Sequence, residues 1–245
     1  MISFIINAIK IIIMLGFLIF IHEGGHFLIA KLCKVKVNEF ALGFGPKIFT
    51  KEKGGTQYTL RLIPLGGFVS MEGEDEHSDS EGSFRNASVW KRIAIISAGG
   101  LVNVIFGLLI YFILLLAITD VYTALVSVKD YLILVLMSLK DLFTGAVSPD
   151  KMVGIIGLSD IVVNTVGIRE YFSIMASISV SLGITNLLPF PPLDGGKIVI
   201  YLIEAIRKKP IKEETELKIQ GWGLAAIMAL FVFVTYNDIL RIFKN

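Results

Sequence analysis

The sequence is short of what a soluble domain of 245 residues is made from. Charged residues make up 18% of it and hydrophobic residues 54%, which excludes an ordinary water-soluble globular domain. Cys33 is the one cysteine, so an intrachain disulfide and a thiolate metal site are both excluded. Lys and Arg total 23 against 21 Asp and Glu, a formal charge of +2. With no basic block interleaved with aromatics, no nucleic-acid partner is expected. Histidines number three, and no internal repeat is visible. The amino-terminal segment lacks a basic start and a small-residue cleavage site, and is expected to be retained rather than removed as a signal peptide.

What is there is apolar and long. About 20 apolar residues cross a bilayer as a helix, and by that measure Ile2 to Ala30, Ile93 to Thr119 and Trp222 to Ile242 are spans. Tyr171 to Leu188 is a fourth, diluted by serines, a glycine and Asn186, so it should face other helices or a cavity. Ser127 to Phe143, bracketed by Lys129, Asp130, Lys140 and Asp141, reads as an interfacial amphipathic helix; a fifth, short span is the alternative.

Ten Lys and Arg lie between Lys31 and Arg92 and five between Arg207 and Lys218, against four from Asp120 to Glu170. The positive-inside bias puts the first two stretches in the cytoplasm and both termini outside. Between Val37 and Met71, Gly43, Gly45 and Pro46 break helix, Gly54-Gly55 is a hairpin turn, and Gln57 to Ile63 alternates as a strand does. A β-hairpin beside a span is expected. Residues 72–81 form an acidic, polar loop.

Chemistry enters with His22-Glu23-Gly24-Gly25-His26, set within the first apolar stretch. Ionisable groups inside a span are costly and mark function. On a helix, positions four apart lie about 40° apart around the axis, so both imidazoles reach one metal ion. Glu23 is then placed to take a proton from an activated water. A zinc hydrolase needs a third protein ligand. His77 is one candidate, in the acidic loop. Asp194 is the better placed: it follows Pro189, Pro191 and Pro192 and precedes Gly195-Gly196, so the chain there cannot continue as regular helix and a short carboxylate reaches sideways. The same carboxylate also suits a helix N-cap.

His22-Glu23-x-x-His26 together with Leu193-Asp194-Gly195 resembles the site-2 protease family of intramembrane zinc metalloproteases. Phe44-Gly45-Pro46, Ile63-Pro64-Leu65-Gly66-Gly67-Phe68, Ala98-Gly99-Gly100-Leu101-Val102-Asn103 and Asn186-x-x-Pro189-x-Pro191-x-x-Asp194 extend the likeness over nearly the whole chain. It is nearest to the bacterial proteases of regulated intramembrane proteolysis. Those usually carry PDZ domains between the second and third core spans, where this chain has only the stretch from Asp120 to Glu170.

The resemblance implies a mainly α, polytopic protein of the bacterial cell membrane, with about four transmembrane helices, a membrane-associated β-hairpin and an interfacial amphipathic helix. The whole chain would then form a single protease domain, with the first span at 1–30, the hairpin at 37–71, the acidic loop at 72–90, the second span at 93–119, the amphipathic helix at 127–143, the third span at 171–196 and the fourth at 222–242. It implies one Zn2+ held by His22, His26 and Asp194, with Glu23 as the base, towards the cytoplasmic side. The substrate would be a single-span membrane protein of the anti-sigma-factor or signal-peptide-remnant type.

Asn186 would contact substrate or the developing oxyanion, where a fixed donor contributes about 3 kcal/mol. Asn103 reads either as interhelical glue or as part of the active-site wall. Pro189 and Pro191 shape the backbone where substrate binds. Because a helical substrate must unwind before cleavage, the strand Gln57 to Ile63, at Thr59 and Leu60, is expected to take it up as an added strand. The competing classes are a catalytically silent zinc-binding scaffold, against which Glu23 stands, and a metal or ion transporter, which would show repeats and several broken helices.

Overall fold

The computed structural model describes residues 2–74, 78, 80–145, 165 and 167–244. In chain order these form α1 (Ile2–Leu32), β1 (Val37–Lys53), β2 (Thr56–Met71), α2 (Val89–Leu116), α3 (Val121–Phe143), α4 (Ile168–Asn186), α5 (Asp194–Arg207) and α6 (Glu213–Lys244). The molecule is mainly helical, as its composition implied, and His77 lies outside the described residues.

Four of these helices contain stretches long and apolar enough to cross a membrane: Ile9–Leu32, Val89–Leu116, Val121–Asp141 and Glu213–Asn237. The stretch read as an interfacial helix from Ser127 is therefore the later part of a longer apolar helix, α3, that begins at Val121. The charges that bracket it lie near the helix surface, with Lys129 and Asp130 paired to each other at 3.4 Å and both exposed. The weaker fourth apolar stretch is α4, whose Met175, Ala176, Ser179, Val180 and Gly183 are buried. Its polar and small residues suit it to the interior, where it packs along α2.

The sheet is two long, bent strands. A proximal ladder joins Val37–Leu42 to Gly67–Met71, and a distal ladder joins Lys47–Lys53 to Thr56–Arg61 around the Gly54-Gly55 turn. Glu39–Leu42 also faces Gln57–Leu60, so residues 57–60 have a partner on each side, whereas among the described residues Gly67–Met71 has one on a single side. The distal part carries Ile48, Phe49, Leu62 and Ile63 well exposed, the surface expected of a hairpin against lipid.

The main core sits where the sheet meets the helices. Ala30, Val35, Val37, Phe40, Val69, Met71, Phe84, Ile95, Ile96, Ile200 and Tyr201 form one buried cluster. This cluster holds the end of α1, the proximal ladder, the start of α2 and α5 as one body. A second cluster of Met14, Leu18 and Met175 ties α1 to α4. Glu204 is 6% exposed and pairs with Arg92 at 2.8 Å. Its other oxygen accepts the Ile211 N–H at 2.8 Å, and the Arg92 guanidinium lies 4.7 Å from the Tyr201 ring centre. An apolar environment leaves such a charge no cheaper arrangement than a paired one.

Candidate metal centre

Between Ile2 and Leu32 the chain has no proline, so α1 runs unbroken through His22 and His26. The helical repeat puts both imidazoles on one face, directed at α2 and at the start of α5. The two Nε2 atoms lie 3.2 Å apart. Asp194 completes the group: its Oδ2 is 3.2 Å from His22 Nε2 and 3.3 Å from His26 Nε2.

Asp194 arrives there through a broken helix pair. α4 ends at Asn186, and the chain turns through Leu187–Leu193, with Phe190 N–H donating to Leu188 O at 2.7 Å and Leu193 N–H to Phe190 O at 2.9 Å. α5 starts at Asp194 itself, its N-cap being Leu193 with no side-chain cap bond. The alternative of Asp194 as a capping residue therefore does not apply. Gly195 is needed at this corner, because a Cβ there would overlap the carbonyl oxygens of Leu187 and Leu188. Side-chain-free backbone lets the first turn of α5 sit against the end of α4 and aim the carboxylate at α1.

The donor set fits a zinc ion. Tetrahedral zinc with ligands at about 2.0–2.1 Å separates its donors by roughly 3.3 Å, and the three separations here are 3.2, 3.2 and 3.3 Å. Asp194 Oδ2 is buried and receives no hydrogen bond. His26 Nδ1 pairs with the Ile95 carbonyl oxygen at 2.9 Å, so the ring donates there and turns the Nε2 lone pair to the centre. Space for the ion depends on Gly99 of α2: a Cβ on it would overlap His26 Nε2 and lie 2.8 Å from His22 Nε2.

The centre opens into a cavity of about 360 Å³. Its wall is made by His22, Glu23, His26 and Asp194, by the strand segment Phe68–Met71, and by Ile96, Glu74 and Lys197. Lys197, one turn beyond Asp194, donates to Glu74 at 2.8 Å. Glu23 thus shares the cavity with the three donors.

The remaining sequence candidates lie outside the cavity wall. Asn103 is fully buried on α2 and contacts His22, its amide 3.4 Å from Nδ1. Asn186, Pro189 and Pro191 belong to the α4–α5 corner and do not line the cavity. Thr59 and Leu60 lie in the distal ladder, paired on both sides, with Thr59 buried. Three participants escaped the sequence reading: Gly99, the Ile95 carbonyl, and the Phe68–Met71 strand. The Ala98-Gly99-Gly100 run was a signal for the first, since adjacent glycines inside an apolar helix mark close approach.

The chain matches peptidase family M50 over residues 10–230. Among curated relatives, it is 26% identical to the regulator of sigma-W protease RasP of Bacillus subtilis, over 98% of this chain and 100% of that protein. It is 25% identical to the zinc metalloprotease RasP of Bacillus licheniformis, over 97% and 99%. These alignments run to 420 and 416 positions against 245 residues here, so both relatives hold long stretches with no counterpart in this chain, as expected of a member without the PDZ module. A match that takes in most of the chain and every donor of the metal centre makes this chain a member of peptidase family M50, the site-2 family of membrane zinc metalloproteases.

Proposed function

We propose that the protein is an intramembrane endopeptidase that hydrolyses peptide bonds within or near the transmembrane segment of single-span membrane proteins, with His22, His26 and Asp194 holding the zinc and Glu23 as the base. The observation that carries this is the near-equilateral triangle of donors sharing one cavity with Glu23. Zinc, when bound, supplies a Lewis acid that brings the acidity of water to near neutrality, a pKa of about 7. Glu23 accepts the proton of the attacking water and returns it to the leaving amine. His26 keeps its Nε2 lone pair directed inward because its other nitrogen is tied to Ile95.

A helical substrate hides its amides in its own hydrogen bonds, so the segment to be cut must be extended first. Gly67–Met71 has one sheet partner and its residues Phe68–Met71 line the cavity. This supports strand addition there, beside Glu23, in place of the distal stretch around Thr59 and Leu60. Asn186 remains a candidate donor to the oxyanion, on the α4–α5 corner that delivers Asp194. The substrate class is of the anti-sigma-factor or signal-peptide-remnant type, supported by the sigma-regulating name of the Bacillus subtilis relative. The excess of Lys and Arg in 31–92 and 207–218 supports a centre towards the cytoplasm and termini outside.

The test is co-expression with a panel of single-span membrane proteins, comparing wild type with Glu23→Gln. Cleavage by wild type and none by the variant, at equal zinc content, is expected. Cleavage that continues in Glu23→Gln would overturn the assignment.

A further inference from the structure

Asn103 holds a position that the zinc chemistry does not yet use. It is fully buried in the middle of α2, its backbone carbonyl accepts the Ser179 hydroxyl of α4 at 2.8 Å, and its amide nitrogen stands 3.4 Å from His22 Nδ1. Its Oδ1 is buried with no donor. The backbone is therefore pinned, while only one end of the side-chain amide has a partner.

As placed, the NH2 group donates to His22 Nδ1. That requires a lone pair on Nδ1, which in a neutral imidazole leaves the hydrogen on Nε2. An Nε2–H would point at His26 Nε2 and Asp194 Oδ2, 3.2 Å away in each case, and could not bind a metal. Zinc needs the Nε2 lone pair, hence a hydrogen on Nδ1, hence an acceptor facing it. The oxygen and NH2 ends of an asparagine amide are nearly the same size, so a 180° rotation exchanges them in place. Since no donor holds Oδ1 where it stands, that rotation gives up no protein hydrogen bond except the one it replaces.

We infer that Asn103 is the positioning residue of the metal centre, its carbonyl oxygen accepting the Nδ1–H of His22 as the Ile95 carbonyl accepts that of His26. This rests on the zinc reading above. The two acceptors lie eight residues apart on α2, one a backbone oxygen and one a side chain. α2 thereby fixes the ring orientation of both histidines of α1, and only the His22 side of that arrangement is open to mutation.

The experiment measures zinc affinity of the purified chain in detergent, with zinc alone and a competing chelator. Three variants are compared: Asn103→Leu, which removes the acceptor; Asn103→Asp, which keeps one; and His26→Ala. Loss of a hydrogen-bond partner to a metal ligand typically costs 10–100-fold in affinity, so Asn103→Leu should weaken zinc by about that factor and Asn103→Asp should bind within about threefold of wild type. Excess zinc should restore cleavage by Asn103→Leu. Unchanged affinity in Asn103→Leu, or an equal loss in Asn103→Asp, overturns the inference. So does a cleavage defect that persists at saturating zinc, which is the mark of a substrate-contacting wall. If His26→Ala keeps wild-type affinity, it is the metal-centre reading that fails, whatever Asn103 does.

Discussion

His26 donates its Nδ1–H to the carbonyl oxygen of Ile95, a 2.9 Å contact between residues 69 apart in sequence. It fixes how the imidazole points, and it does so with backbone, which no side-chain substitution at position 95 removes. The register of α1 against α2 is thus part of the catalytic geometry.

Gly99 should be the least replaceable residue of α2. A methyl group there occupies the space between the two ligand nitrogens, so Gly99→Ala is expected to lose zinc by more than about 100-fold while the helix, which alanine favours, persists. Metal content of the purified variant and its far-UV circular dichroism separate the two effects. Stoichiometric zinc in Gly99→Ala would show that the donors meet the ion elsewhere.

Strand addition at the cavity edge has a direct chemical readout, because Cys33 is the one native cysteine. In a Cys33→Ser, Glu23→Gln background, a cysteine at Ser70 should cross-link to single cysteines placed through the substrate's cleaved region. A cysteine at Leu60, which is exposed in the distal ladder, should not. The reverse pattern would return substrate binding to the distal hairpin.

Much of this site was legible in the residues and some was not. His22, Glu23 and His26 announce themselves because helical periodicity alone sets their relation, and Asp194 because prolines and glycines around it forbid a regular helix. Gly99, the Ile95 oxygen and the cavity-facing strand were not legible, since each acts through where one element packs on another. The strand misled for a definite reason. Alternation in Gln57–Ile63 correctly signals a strand, but it does not say which edge is left free; the bend after Leu42 brings β1 onto both sides of that problem, pairing residues 57–60 twice. The count of about four spans agrees with the four helices long and apolar enough to cross a membrane, but one of them is not where it was expected. The charges in α3 suggested an interfacial helix, although the apolar stretch begins earlier, at Val121.

Glu72 gives a pH dependence of known sign. Hydrogen bonds from the Ser78 hydroxyl, the Asn38 amide and the Lys36 ammonium pull its carboxyl down from 4.5 to about 2. A carboxyl depressed on folding contributes stability that is complete above the unfolded value and is lost as pH falls from there through the folded one. The melting temperature of wild type should therefore decline from about pH 4.5 towards pH 2, and Glu72→Gln should flatten that part of the curve. An unaltered curve in the variant would assign the acid sensitivity to another group.

The Arg92–Glu204 pair should show the asymmetry of buried charges. Glu204→Gln leaves the guanidinium without its counter-ion at 8% exposure, which typically costs about 3–5 kcal/mol. Replacing both, as Arg92→Met with Glu204→Leu, should recover most of that loss. Denaturant titrations in detergent measure both, and a double variant as unstable as the single one would mean that the Ile211 N–H bond to Glu204 dominates.

The donors are far apart in the translation order: His22 and His26 are made well before Asp194. A polypeptide still emerging from the ribosome, with α1 to α4 already inserted, carries a base and two nitrogens but no closed coordination sphere. A three-donor zinc site therefore closes only once the chain has been made as far as Asp194 and α5 has begun to form.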